Sequence, residues 1–355
     1  MKPGTDDERS LISARTFRCR GAYARDPERI VVLTWEHSPT CDIYLRGRLR
    51  NAGLPVHYWI LGRAPPVSLN GAFVIVVRYV DSAALKALER AGASLGGFAY
   101  LLDDDMAAAI GDRSLPLHYR IYMAHFWLRY AGRIGALASE LWLSSDVLAR
   151  RYAAAGDVHR IDPAPLRFAL PSERPSNESG NVSIFYHGQK THRADRKWLR
   201  DVMRPVLEDC PNCEFEIVGG PEARRFYGGL PRVAVRPPLP WPEYWQRSQT
   251  TRLDIGLAPL VPTPFNSARS WTKYLDIARF GAVGVYAAGE PYESVVTDDR
   301  NGILRPACDK EAWSDALIAL VRDRALRERL TGAVDWPSGT KTPPTLERLA
   351  YGEKL

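Results

Sequence analysis

The residues best suited to chemistry lie in one stretch, Pro264-Phe265-Asn266-Ser267-Ala268-Arg269-Ser270-Trp271-Thr272-Lys273-Tyr274-Leu275-Asp276-Ile277-Ala278-Arg279-Phe280-Gly281. It follows Asp254 to Leu260, an apolar run that reads as the end of a buried strand. From Ser267 it reads as a helix, capped by Ser267 or Ser270 and stopped at Gly281. At about 100° per residue, Arg269, Lys273 and Asp276 share one narrow face, while Tyr274, Ala278 and Gly281 fall opposite and would pack on a sheet. Cations at a helix N-terminus oppose the macrodipole, so they gain nothing there by themselves. The same place suits a multiply charged anion such as a diphosphate. Asp276, two turns in, could accept hydrogen bonds from a sugar diol. The plain alternative is a solvated charged face; cations so misplaced after a Pro-Phe-Asn loop favour the ligand. On that reading Lys273 finds its partner only in the ligand, so removing it should barely change folding stability.

Two other stretches carry similar chemistry. Gly188-Gln189-Lys190-Thr191-His192-Arg193-Ala194-Asp195 follows a strand-like run and opens a helix, with Thr191 as its N-cap and Asp195 in the first turn. Glycine followed by free N–H groups can cradle a phosphate, although no Walker loop is present. Asp103-Asp104-Asp105 ends another strand, where open α/β sheets place ligands. Three adjacent carboxylates repel, which raises at least one pKa and invites a base or hydroxyl-ligand role; an acid cluster favouring a helix N-terminus is the alternative. His37 and Arg46 flank the first helix and His125 lies in an aromatic segment, so each could face a cleft or be structural.

These residues together resemble bacterial group 1 glycosyltransferases of the GT-B fold, those of O-antigen and surface-polysaccharide synthesis coming closest. Phe265, Asn266, Arg269, Ser270, Lys273, Leu275, Asp276, Ala278 and Gly281 fill the family's donor-binding pattern in order; Gly188, Thr191, His192 and Asp195 fill another. The likeness is loose over about 98–156, where the acidic strand end and Leu148, Tyr152 and Gly156 carry it, and strong over about 184–330. It implies sugar transfer from a nucleotide diphosphate sugar to a saccharide or lipid-linked acceptor. The donor would meet Gly188, Thr191, His192, Asn266, Arg269, Ser270, Lys273 and Asp276. The acceptor would meet His37, Arg46, Asp103 and Asp105, and Asp104, Arg269 and Lys273 would be catalytic. Arg236 and Pro237 would lie near the base. No metal or other cofactor is expected. Two departures stand out. The family's earlier glutamate position holds Ala268, and Gly284 replaces a common proline. A degenerate transferase that binds glycans or a partner, or a nucleotide-sugar epimerase, are the competing readings.

The elements that must position these residues read as a doubly wound α/β chain. Strands at 29–35, 56–61, 73–77, 97–102 and 141–143 alternate with helices at 42–53, 81–92, 118–134 and 147–155. After a Pro/Ser/Asn-rich linker the rhythm restarts with strands at 182–187, 215–218, 233–238 and 283–286. The expectation is two Rossmann-like domains facing across a cleft: an extension 1–28, an acceptor domain 29–165, a linker 166–182, a donor domain 183–334 and a crossover tail 335–355.

At 355 residues the chain is long for one domain. A net charge of +7 suits a polyanionic donor or an acidic membrane surface, yet is too diffuse to argue for nucleic acid. No apolar run approaches the roughly 18 residues of a membrane span, and the polar start has no signal-peptide core. A cytoplasmic setting, with peripheral contact at the inner membrane face, is the expectation. The lone Cys210-Pro-Asn-Cys213 reads as a turn, not a zinc or redox site. The sequons at Asn177 and Asn181 are discounted.

Overall fold

The computed structural model describes residues 17–164, 180–188, 190–337 and 339–351. The start of the N-terminal extension, the linker from 165 to 179 with the Asn177 sequon, Gln189 and the last four residues lie outside the described residues.

Two six-stranded parallel sheets are present. The first runs β2-β1-β3-β4-β5-β6, from β1 (Arg29–Thr34), β2 (Val56–Ile60), β3 (Ala72–Val77), β4 (Gly97–Leu102), β5 (Glu140–Leu143) and β6 (Asp157–Arg160). The second runs β12-β11-β10-β7-β8-β9, from β7 (Val182–Tyr186), β8 (Cys213–Val218), β9 (Val233–Arg236), β10 (Ile255–Ala258), β11 (Val283–Ala287) and β12 (Ile303–Arg305). β3 and β4 are buried at every position, as strands covered by helices on both faces must be. Edge strand β6 was not anticipated: Asp157-Val-His-Arg160 has no apolar run, because an edge strand needs little burial.

Each sheet has one topological switch point, where crossovers leave in opposite directions: between β1 and β3 in the first, between β7 and β10 in the second. Open α/β sheets bind ligands outside the carboxyl ends of strands at that place. The two sheets turn these edges toward one cleft. Residues 17–21 run along the first half, where Phe17 stacks on Tyr100 at 5.8 Å, so part of the extension belongs to the core. Near the other end, Asp162 and Lys341 exchange backbone and side-chain hydrogen bonds at 2.9 and 2.8 Å, and Arg48 donates to Thr342 Oγ1 at 3.1 Å.

The expected helix 42–53 starts earlier, with Pro39 in its first turn and Ser38 Oγ accepting from the Cys41 N–H at 3.3 Å. The central helix starts later than expected. Asn266–Ala268 form a 3-10 turn, Arg269 is extended (φ −70°, ψ 156°), and the α-helix is Thr272–Arg279. Neither Ser267 nor Ser270 caps it; Gly281, at φ 67°, does follow its end.

Gly284 has a packing reason. A Cβ there would lie 2.1 Å from the Tyr286 ring, which is fully buried. Gly284→Ala should therefore destabilise the fold by about 1–3 kcal/mol, the usual cost of overpacking, read as a lower urea midpoint with unchanged slope.

Candidate functional site

The cleft holds about 880 Å³ and is lined from both halves. The second sheet contributes the turn after β7 and the stretch after β10. Arg269 is the residue on which they meet. Its Nη1 contacts His192 Nε2 at 3.1 Å, its Nη2 donates to Thr191 Oγ1 at 3.4 Å, and its Nε donates to Asn266 Oδ1 at 3.2 Å. The guanidinium carbon lies 4.8 Å from the Phe265 ring centroid. Across the cleft, Asp104 Oδ1 is 3.8 Å from Nη1. Of the donor residues expected to converge, Thr191 and His192 thus meet Arg269 directly, and Gly188, Ser270 and Lys273 line the same cleft. The route differs: Arg269 reaches the site from an extended residue before the helix, not from the helix face.

Lys273 lies on the first turn of the helix. Its Nζ donates to the His187 carbonyl and pairs with Asp276 Oδ2 at 3.3 Å. Asp276 also pairs with Arg279, which sits buried among the rings of Trp241, Tyr244 and Trp245. Lys273 therefore has partners within the chain, and the expectation of a structurally silent side chain is corrected. An ammonium carries three donors; two have partners among the described residues, leaving one for a ligand.

Two other expectations are corrected, and Ser270 gains a partner that was not expected. Thr191 does not cap the helix Arg193–Asp209, whose N-cap is His192; its hydroxyl faces Arg269 instead. Asn266 is buried and does not line the cleft. Its Nδ2 donates to the Val261 carbonyl and its Oδ1 holds Arg269, so it positions that residue. Ser270 lines the cleft, but its Oγ is 2.6 Å from the Tyr44 hydroxyl, a bond between the two halves.

The acceptor-side residues divide. His37, Asp103 and Asp104 line the cleft; Arg46, Asp105 and His125 do not. Arg46 pairs with Asp42 at 2.6 Å over the Tyr58 ring. Asp105 caps the helix Met106–Gly111 through the Ala108 N–H at 2.9 Å and pairs with Arg151 at 2.6 Å, both structural roles. His125 is exposed.

Arg78, not anticipated from the sequence, organises the acidic pair. It follows β3 at φ 63°, with Nε 3.2 Å from Asp103 Oδ1 and Nη2 2.9 Å from Asp104 Oδ2. A positive φ on a non-glycine residue is held only where the surroundings enforce it. The sequence shows only a charged residue directly after an apolar run; its place at the switch point comes from the strand order. Burial raises the Asp103 pKa and outweighs Arg78. Burial pushes Asp104 up as well, but Arg78 and then Arg269 bring it below the ordinary value. The two neighbouring carboxyls are thus pushed in opposite directions, Asp103 toward holding a proton and Asp104 toward losing it. Thr40 Oγ1 donates to Asp103 Oδ2 at 2.7 Å.

A second unanticipated cluster lies toward β9. His187 Nε2 is 2.9 Å from Glu216 Oε1, and Arg247 Nη2 donates to the same carboxylate at 2.6 Å. Burial works against the Glu216 charge, yet these partners bring its pKa to about 2. Arg236, Pro237, Trp241, Tyr244 and Arg247 line this end of the cleft, giving flat rings and cations side by side.

The architecture is that of the GT-B fold. Among similar solved structures, Anabaena HepE in complex with UDP-glucose has a TM-score of 0.57 at 13% identity, covering 91% of this chain and 98% of that one. Sucrose-phosphate synthase from Thermosynechococcus elongatus has a TM-score of 0.52 at 15% identity, covering 88% and 96%. S. aureus TarM in complex with fondaparinux, α-GlcNAc-glycerol and UDP has 0.52 at 8% identity, covering 74% of this chain and 51% of that one. The chain thus spans about half the length of TarM. No protein-family model matches the sequence, and no curated protein matches it.

His192 gives this site a pH signature. Its Nδ1 is 3.0 Å from Asp195 Oδ2, so Nδ1 carries the proton and Nε2 accepts from Arg269. Burial, then Arg269, lowers its pKa from 6.5 to about 4, against the pull of Asp195. The unfolded chain gains this proton as pH falls through 6.5 and the folded chain only near 4, so stability is lost progressively across that window. The loss attributable to His192 should approach about 3 kcal/mol. His187, lowered by burial, acts with the same sign. Urea unfolding at pH 7 and pH 4.5 should show this fall, and His192→Gln should flatten it.

Proposed function

We propose that this protein is a glycosyltransferase that moves a sugar from a nucleotide diphosphate sugar to a saccharide or lipid-linked acceptor, in surface-polysaccharide or glycoconjugate synthesis at the cytoplasmic membrane face. The observation that carries this reading is the meeting of Thr191, His192, Arg269, Lys273 and Asp276 at one sheet's switch point, directly across from Asp104. The UDP and UDP-glucose bound in the TarM and HepE structures are in keeping with it. A cleft of this size suits a nucleotide sugar with an acceptor beside it.

In this reading the diphosphate lies between Arg269 and the first turn of Thr272–Arg279, where Lys273 adds a point charge. Asp276, held by Lys273 and Arg279, accepts from the ribose hydroxyls. Arg236, Pro237, Trp241 and Tyr244 surround the base. The bond from the sugar's anomeric carbon to the diphosphate breaks and one to an acceptor oxygen forms. Arg269 and Lys273 stabilise the charge that grows on the leaving diphosphate. Asp104, ionised and facing Arg269, takes the acceptor's hydroxyl hydrogen bond and its proton. The reaction requires no metal or other cofactor in this scheme. Ala268 is the observation favouring a non-catalytic glycan-binding protein, and turnover separates the two.

Lys273→Ala should weaken nucleotide diphosphate binding by about 1.5–3 kcal/mol, the worth of one charge-assisted hydrogen bond. Transfer activity should fall further, because the interaction strengthens toward the transition state. Since Lys273 also braces His187 and Asp276, a stability loss of about 1 kcal/mol accompanies it. Calorimetric titration of folded wild type and variant checks the binding. Equal affinities would remove Lys273 from the donor site.

A further inference from the structure

One long helical run in the first half, Leu117–Phe126, a π-turn Trp127–Ala131, and Gly132–Leu137, reaches the cleft through Tyr119. Its inner side is conventional: Met123, Phe126, Trp127, Ala131 and Ile134 are buried against the first sheet. Its outer side is not. Leu117, Ile121 and Leu128 are 66%, 60% and 86% exposed. Four and seven residues apart, they form one stripe down the helix. A helix packed on a sheet normally turns charged and polar residues to water, and single exposed apolar side chains need no account. A row of three does.

The charge carried by the run itself has one sign. No carboxylate occurs between Asp112 and Glu140, whereas Arg113, Arg120, Arg129 and Arg133 do, with His118 and His125. Arg133 is already paired with Glu89 at 2.6 Å. Arg120 Nε donates to the Ile110 carbonyl at 3.1 Å and Arg129 Nη2 to Ser82 Oγ at 3.2 Å, contacts that hold each side chain and leave its charge in place. Large apolar side chains flanked by arginines, on a helix lying along the surface, match the chemistry of a bilayer interface. The apolar tips enter the acyl boundary and the guanidinium groups meet lipid phosphates.

The stripe also adjoins the cleft. Tyr119, on the same helix, lines it, as do Trp35 and Tyr79. Trp35 and Tyr79 rings lie 6.5 Å apart, and Tyr79 and Tyr122 rings 6.2 Å apart, so aromatic contacts run from the cleft mouth to the exposed face. We propose that the Leu117–Ile121–Leu128 face docks this protein on an anionic lipid surface and thereby sets the acceptor side of the cleft against the membrane. The docking stands on the stripe and its charge; only the delivery of a lipid-linked acceptor rests on the transferase reading.

The test is sedimentation of the full chain with phosphatidylcholine vesicles, with and without phosphatidylglycerol. Wild type should sediment with the anionic vesicles at low salt and much less with the neutral ones. Leu117→Gln/Ile121→Gln/Leu128→Gln, at exposed positions outside the cleft, should lose at least tenfold in vesicle affinity at unchanged charge. Arg129→Gln should weaken binding and reduce its salt dependence. Both variants should keep wild-type nucleotide diphosphate affinity, which separates this outcome from any failure of the donor site. Wild type remaining in the supernatant with anionic vesicles overturns the proposal, as does equal sedimentation of the triple variant. So does a wild-type dimer that the triple variant converts to monomer without any vesicle binding, since the stripe would then be a contact between two copies of this chain.

Discussion

The site depends on one partly buried cation, Arg269. A guanidinium offers five N–H donors in a rigid planar fork, and Arg269 directs them at Asn266, His192 and Thr191 while its charge faces Asp104. Burying such a group is costly unless partners surround it. Its partners come from three chain segments far apart in sequence, so those segments must dock together before the charge is compensated. Neutral His192 is part of this arrangement, since a protonated ring would set a second cation against Arg269. Asp195 fixes the ring's tautomer and also accepts from the Val261 N–H, linking the turn after β7 to the stretch after β10.

The stretch 264–270 ties the two halves. Phe265 and Ala268, though they follow β10 of the second sheet, are buried in the hydrophobic core of the first half. Ser145 Oγ donates to the Ala268 carbonyl at 2.6 Å, Arg151 donates to the Pro264 carbonyl at 2.7 Å, and Tyr44 meets Ser270. These contacts explain why position 268 holds alanine. It is fully enclosed, and an ionised glutamate there would be buried without a partner, at a cost of several kcal/mol. Among the described residues, the carboxylates that line the cleft are Asp103, Asp104 and Asp276. Arg78 contacts the first two and draws both pKa values down against burial.

Much of the architecture was legible because buried parallel strands are nearly continuous apolar runs; β1, β3, β4 and β7 announce themselves that way. The charged segments Gly188–Asp195 and Arg269–Asp276 were legible for a second reason: cations after a strand end, where a macrodipole gives them no benefit, need another explanation. Helical phase was the weak step. A wheel drawn from Ser267 put Arg269 on the helix, whereas the 3-10 turn and the extended residue break the phase before Thr272. Arg46 and Asp105 show the other limit. Their types and positions suit a cleft, but Asp42 and Arg151 pair with them first. The roles of Arg78, Tyr44 and the His187–Glu216–Arg247 cluster depend on tertiary contacts that local pattern does not encode.

Whether this cleft is built around a diphosphate is tested most directly by titrating the wild-type protein with each nucleoside, its monophosphate and its diphosphate in a calorimeter. For the cognate base, affinity should rise steeply from nucleoside to diphosphate, by about 1.5–3 kcal/mol for each charge-assisted hydrogen bond that the phosphates make, and the rise should shrink with added salt. A nucleoside that binds as tightly as its diphosphate, or no binding by any member of the panel, would contradict it.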